Sequence, residues 1–208
     1  MANTDFKKAN NTKLTSVTQG GLKYNLDNFH ELAGKAVWDA AADPLTPGTG
    51  ISDSANTTYY SWRERFGNIV KTSIYIDLTD LASGGSANDI IGDDGGAANC
   101  HIGQYTTAVM GTMFAVRMQH LELAAGGDPD INLVSADEAT LAENSAFGSA
   151  TNGVTLINGG DGTATDNTKL GETTMANANQ YLYLTCGAST DAAYTAGKVL
   201  IEIFGVLS

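Results

Sequence analysis

From residue 67 to the C-terminus the chain is written in a period of two. Within residues 68–81, Val70, Thr72, Ile74, Ile76 and Leu78 fall on one side, and Lys71, Ser73, Tyr75 and Asp77 on the other. Successive side chains point to opposite faces of a strand, so this spacing predicts a β-strand with one buried face. The rhythm returns at residues 112–123, 180–186 and 194–206. Further strands are predicted near 101–110, 131–135 and 153–157, and weaker ones at 88–92, 139–143 and 168–175. In the last run Val199, Ile201 and Ile203 alternate with Leu200, Glu202 and Phe204, which predicts a central strand covered on both sides. Loops rich in Gly, Asp, Asn and Ser separate these runs. Short strands at such intervals predict an all-β fold, a two-sheet β-sandwich of jelly-roll type with an extended N-terminal arm.

The pattern divides the chain at residue 66. Residues 67–208 read as the β-sandwich body, and residues 1–66 as an N-terminal arm and assembly extension. Residues 1–20 are polar and poor in large apolar groups, which predicts an arm that is ordered by another chain. Leu22, Tyr24, Leu26 and Phe29 predict a short strand or turn, and residues 31–42 one short helix or two short strands. Residues 43–57, with Pro44, Pro47, Gly48 and Gly50, read as a loop. Beyond it Tyr59, Tyr60, Trp62 and Phe66 cluster around Arg63 and Arg65. Their alternation predicts a strand, and their size predicts a core or an inter-subunit contact.

The net charge of −12 lies entirely in the body. Residues 1–66 carry seven basic and seven acidic side chains, and residues 67–208 four basic and sixteen acidic. An acidic body repels phosphate, so no direct nucleic-acid partner is expected. The basic Lys7, Lys8 and Lys13 of the arm are suited to an acidic protein surface. No apolar run approaches the roughly 20 residues of a membrane-spanning helix, so no membrane partner is expected. The N-terminal residues lack the basic and apolar regions of a signal peptide, which points to synthesis in the cytoplasm. Cys100 and Cys186 are then expected as two buried thiols, with a disulfide as the alternative.

Residue types that carry chemistry are sparse. His30, His101 and His120 are the three histidines, and no nucleophile motif accompanies them. Cys100 and His101 are chain neighbours, so on a strand they point apart and cannot form a thiolate–imidazole pair. His120 lies in an alternating strand and reads as a surface or interface residue. The oxygen-bearing residues of 128–130 and 161–167 are out of register with a calcium loop and read as turns, so no metal site is expected. The glycine doublets follow neither phosphate-loop spacing, so no cofactor is expected. Glu122, Glu143, Glu172 and Glu202 are not paired by any motif of a glycan-cleaving enzyme. These negatives predict a protein that binds or assembles and is not an enzyme.

Several phrases of the body carry a resemblance. They are KTSIYIDLTDLA at 71–82, DIIG at 89–92, IGQ at 102–104, GTMFA at 111–115, YLYL at 181–184 and YTAGKVLIEIFG at 194–205. Together they resemble small virion structural proteins of tailed bacteriophages from marine hosts. The resemblance covers roughly residues 67–208. It implies a component of the phage particle, located in the virion. Joined to the acidic body and basic arm, it leads to the expectation of a capsid decoration or cement protein that stabilises the head from its outer surface. The expected partners are the major capsid protein and the protein itself, as a homotrimer at three-fold positions. Two alternatives stand beside it. One is a tail, neck or fibre component. The other is a carbohydrate-binding β-sandwich that stacks sugars on Tyr59, Tyr60, Trp62 and Tyr75.

Overall fold

The computed structural model describes residues 45–160, 162, 167–171 and 174–208, and the backbone of two short N-terminal strands. Those strands, β1 (Ser16–Gln19) and β2 (Leu22–Asn25), pair with each other as an antiparallel hairpin. A helical turn, α1 (Thr49–Ser52), precedes β3 (Thr58–Phe66) and β4 (Ile69–Asp77). Then come β5 (Leu81–Ser83), β6 (Gly92–Asp93), β7 (Gly103–Gln104) and a second helical turn, α2 (Thr107–Met110). Two longer strands follow, β8 (Thr112–Ala125) and β9 (Ile131–Ala136). The described chain ends with β10 (Val154–Ile157), β11 (Thr168–Leu170), β12 (Tyr181–Cys186), β13 (Ala192–Ala193) and β14 (Ala196–Val206).

The body is nearly all β, and its sheets are antiparallel, as in an all-β sandwich. A five-stranded sheet has the order β11-β8-β14-β4-β3, and a four-stranded sheet the order β10-β9-β12-β7. A small third sheet joins β13, β5 and β6 at one end. The inner face of the larger sheet supplies Val70, Ile74, Ile76 and Leu78 from β4 and its end, Val116 and Met118 from β8, and Val199, Ile201 and Ile203 from β14. Leu133, Leu156, Leu182 and Leu184 of the smaller sheet join the same apolar cluster. Each fully buried side chain of this kind contributes about 1.5–3 kcal/mol, so these alternating positions dominate the stability of the body.

The two sheets differ in how they are covered. Every residue of β9 is buried, and so is every residue of β12 after Tyr181. Segments between the named strands run along the free edge of β12: Ile91 N–H donates to Leu184 O at 2.9 Å and Ile102 N–H to Leu182 O at 2.8 Å. On the far side the Tyr183 hydroxyl donates to Glu138 O at 2.5 Å. The five-stranded sheet instead has one buried face and one largely open face. β14 is central in its sheet as expected, but Leu200 and Phe204 are only half-buried, so the strand is covered on one side and not on both.

Other expectations change as well. β3 pairs with β4 along its whole length, from Thr58 opposite Asp77 to Phe66 opposite Ile69. The division at residue 66 therefore falls inside a strand hairpin, and Ile51 of α1, in the stretch read as a loop, is fully buried in the core. The strand expected at 101–110 is cut to two residues followed by a helical turn. Gly103 has φ +138°, and the Leu45 side chain occupies the space where a Cβ would point. Gly111, at φ +72°, turns the chain from α2 into β8 against the Val206 backbone, where a Cβ would collide. Residues 139–143 form no strand, and 88–92 form isolated bridges followed by β6. Only Thr168–Leu170 of the expected 168–175 strand is described as a strand. His120, expected at the surface, is buried on the inner face opposite Val199. Cys100 and Cys186 are separate buried thiols.

Candidate interaction surface

The open face of the five-stranded sheet is built by register. One row runs Tyr60, Tyr75, Leu200, Gln119 and Thr168; the next runs Trp62, Ser73, Glu202, Arg117 and Leu170. A third places Glu64, Lys71, Phe204 and Ala115 side by side, and a fourth Phe66, Ile69, Val206 and Thr112. A bulge in β8 beside Phe204 brings Phe114 to this face, with its ring centroid 6.4 Å from that of Phe204. The Tyr60 and Tyr75 rings lie 6.2 Å apart. Phe66 is 73% exposed, Leu170 72% and Tyr60 64%. These three and Ile69, Phe114, Leu121, Leu123 and Val206 are the exposed large apolar residues among those described, and all eight sit on the strands of this one sheet.

Charge is sorted in the same way. Residues 45–208 contain six basic and eighteen acidic side chains. All six basic ones lie on the five strands: Arg63 and Arg65 on β3, Lys71 on β4, Arg117 on β8, Lys169 on β11 and Lys198 on β14. Four acidic ones, Glu64, Asp77, Glu122 and Glu202, share those strands, so the other fourteen have no basic residue among them elsewhere in 45–208.

On the open face the charges neutralise one another. Arg117 Nε donates to Glu202 Oε2 at 2.7 Å, and its Nη2 contacts the same oxygen. Lys71 Nζ lies 3.3 Å from Glu202 Oε1 and also pairs with Glu64. Glu64 is the main reason the Lys71 ammonium is held above the ordinary lysine range, against the opposing effect of burial. Lys198 pairs with Glu122, with Asp77 3.8 Å away. Glu202, which is buried, thus has two cations, and each outward carboxylate has at least one. The face is apolar and locally close to neutral on a body that is otherwise acidic.

The aromatic–basic cluster read from the sequence is split by the pleat of β3. Tyr60, Trp62 and Phe66 face outward in the rows above. Tyr59, Arg63 and Arg65 lie in the alternate register. The Tyr59 hydroxyl donates to Ile102 O at 2.6 Å, Arg63 Nη1 to Val109 O at 3.2 Å, and Arg65 Nε to Gly67 O at 2.7 Å. Lys7, Lys8 and Lys13 lie outside the described residues. Ile69, Phe114, Leu170 and Val206 were missed because their strands were read for their buried faces. For Ile69, Leu170 and Val206 the signal was an apolar residue at an alternate, outward position; Phe114 faces outward only through the bulge and had no such signal.

A groove of about 770 Å³ lies beside β7 and α2, lined by Leu45, Pro47, Asn99, His101, Gln104 and Tyr181 among others. The His101 ring lies 4.9 Å from that of Tyr181. Burial holds its imidazole below the ordinary histidine range, so it is neutral at pH 7. Its neighbours offer aromatic and amide contacts. Among the described residues no three His, Cys, Asp or Glu side chains are grouped to hold a metal ion. Comparison with known proteins returned no matching family, no matching characterised protein and no matching solved structure.

Proposed function

We propose that this protein is a non-enzymatic structural subunit of a bacteriophage particle, a decoration or cement protein on the outer surface of the head. The observation that carries the reading is the sorting of the body. All the exposed large apolar residues described, and all the basic residues of 45–208, lie on one sheet, while the rest of that span is purely acidic. An apolar, neutralised face suits burial against protein. An acidic remainder suits an outward surface that keeps particles apart by mutual repulsion. The phrases of residues 67–208 that resemble marine phage virion proteins supply the setting. In this reading the protein forms a homotrimer, contacts the major capsid protein, and uses Lys7, Lys8 and Lys13 to reach acidic shell surface.

A protein that binds only assembled shell stabilises it by mass action. The test is the temperature at which particles release DNA, with and without the protein. A clear rise in its presence is expected. Equal release temperatures, or density for the protein only in the tail, would replace this reading with that of a tail, neck or fibre component. Replacing Lys7, Lys8 and Lys13 together with Glu is expected to weaken attachment, most strongly at low salt.

The Tyr60–Tyr75 pair, with rings tilted 33° on an open sheet face, favours a second reading as a carbohydrate-binding surface. Sugar stacking would be lost in Tyr60→Ala and Tyr75→Ala on a glycan array. An array with no signal for the parent protein removes that reading.

A further inference from the structure

We infer that the open face of the five-stranded sheet is closed by the same face of another copy of this chain. The inference rests on the reading of that face as a protein interface, and it names the partner.

Charge selects the partner. A basic protein would be drawn to the eleven described acidic residues that lie off the sheet, and an acidic protein would be repelled by them. The open face attracts neither, because Glu64, Glu122 and Glu202 already hold Lys71, Lys198 and Arg117. What it fits is a surface that is itself apolar and internally neutral. The same face of a second copy has those properties by construction. Apposing the two faces also sends the acidic parts of both bodies to opposite ends, where their repulsion is least. The ion pairs enter such an interface already satisfied, so no orphan charge is buried.

Size is adequate. Four strands about 4.8 Å apart with nine residues rising about 3.3 Å each, and the three residues of β11, give a face of about 600 Å², within the range of about 600–1,000 Å² per partner of standard interfaces. A stable interface covers about 800 Å² on each partner. Sheets packed face to face lie about 10 Å apart with interdigitating side chains. Phe66, Phe114 and Leu170 project from this face to fill that layer.

The experiment is sedimentation velocity and native mass spectrometry of the full 208-residue chain and of the Phe66→Asp/Leu170→Asp variant. The parent is expected to form a closed oligomer at tens of micromolar. The variant is expected to be monomeric, with association weakened about a hundredfold or more, as for two interface anchors lost together. Both side chains are exposed, so near-ultraviolet circular dichroism should be unchanged. If the double variant is misfolded, Phe66→Gln alone should still weaken association about tenfold.

A monomeric parent overturns the inference. So does an oligomer that persists undiminished in the variants, which would place the contact elsewhere. The particle reading is separated by adding the protein to undecorated heads. A parent monomer that binds heads through this face overturns self-association alone. An oligomer that is lost in the variant but never binds heads upholds self-association and removes the particle reading.

Discussion

Glu202 on β14 and Arg117 on β8 stand opposite each other, and the guanidinium holds the carboxylate through Nε at 2.7 Å and through Nη2. The two ends of this pair are not equivalent. The Glu202 side chain is 8% exposed, whereas that of Arg117 is 41% exposed and can reach water. Removing the cation strands a buried charge; removing the anion releases cations into solvent. Arg117→Leu is therefore expected to cost about 2–3 kcal/mol, with Lys71 left as the remaining partner. Glu202→Leu should cost under about 1 kcal/mol. Urea denaturation of both variants checks this, and equal losses would contradict the asymmetry.

Tyr105 closes the corner between α2 and β8. Its buried hydroxyl donates to Gly111 O and accepts from Met113 N–H, each at 2.8 Å. Tyr105→Phe keeps the ring and strands both backbone groups, so a loss of about 2 kcal/mol is expected. Tyr60→Phe, at an exposed position, should change stability by less than about 0.5 kcal/mol. Denaturation midpoints of the two variants decide it.

Glu143 predicts a pH dependence. Burial raises its carboxyl above the usual range, and the carboxylates of Asp94, Asp191 and Asp89 add to this, while the Gly96 N–H donated to Oε2 at 2.9 Å opposes it. The folded chain thus keeps this proton to a higher pH than the unfolded chain does. Between the ordinary glutamate value of about 4.3 and the raised one, the folded state binds more protons. The Glu143 contribution therefore makes stability fall as pH rises through that window. Above that window the buried carboxylate is ionised at a cost. Glu143→Gln removes that cost and keeps an acceptor for Gly96. It should raise the Tm by a few degrees at pH 7, and the gain should vanish below about pH 4. A variant less stable than the parent at pH 7 would contradict the sign.

Cys100 and Cys186 should be inert in the folded protein. Both are fully buried. Burial pushes the Cys100 thiol up to about 12 and raises that of Cys186. A thiol reagent at pH 8 should label neither in the native state over minutes and both after unfolding in guanidinium. Rapid labelling of one equivalent in the folded protein would contradict this placement.

Alternation in residues 68–78, 112–123 and 194–206 was enough to identify β4, β8 and β14, and in β4 to separate its two faces. The reason is local: a strand shows its neighbours only two sides, and the apolar side must be removed from water. The break of 101–110 was not local. It goes with a long-range contact, in which Leu45, far away in sequence, fills the space beside Gly103. His120 was misread for a different reason: the alternation continued from Val116 and Met118 already places it on the buried face, but its polar ring was taken as a mark of the surface. The sequence alone also showed that the body is acidic. That its few basic residues, and all the described exposed large apolar ones, share one sheet was decided by strand order. β3, β4, β14, β8 and β11 come from stretches as distant as residues 58 and 206, and only their hydrogen-bonded pairing makes them neighbours. A surface assembled from long-range pairing has no signature in any one segment, because each strand contributes only alternate side chains to it.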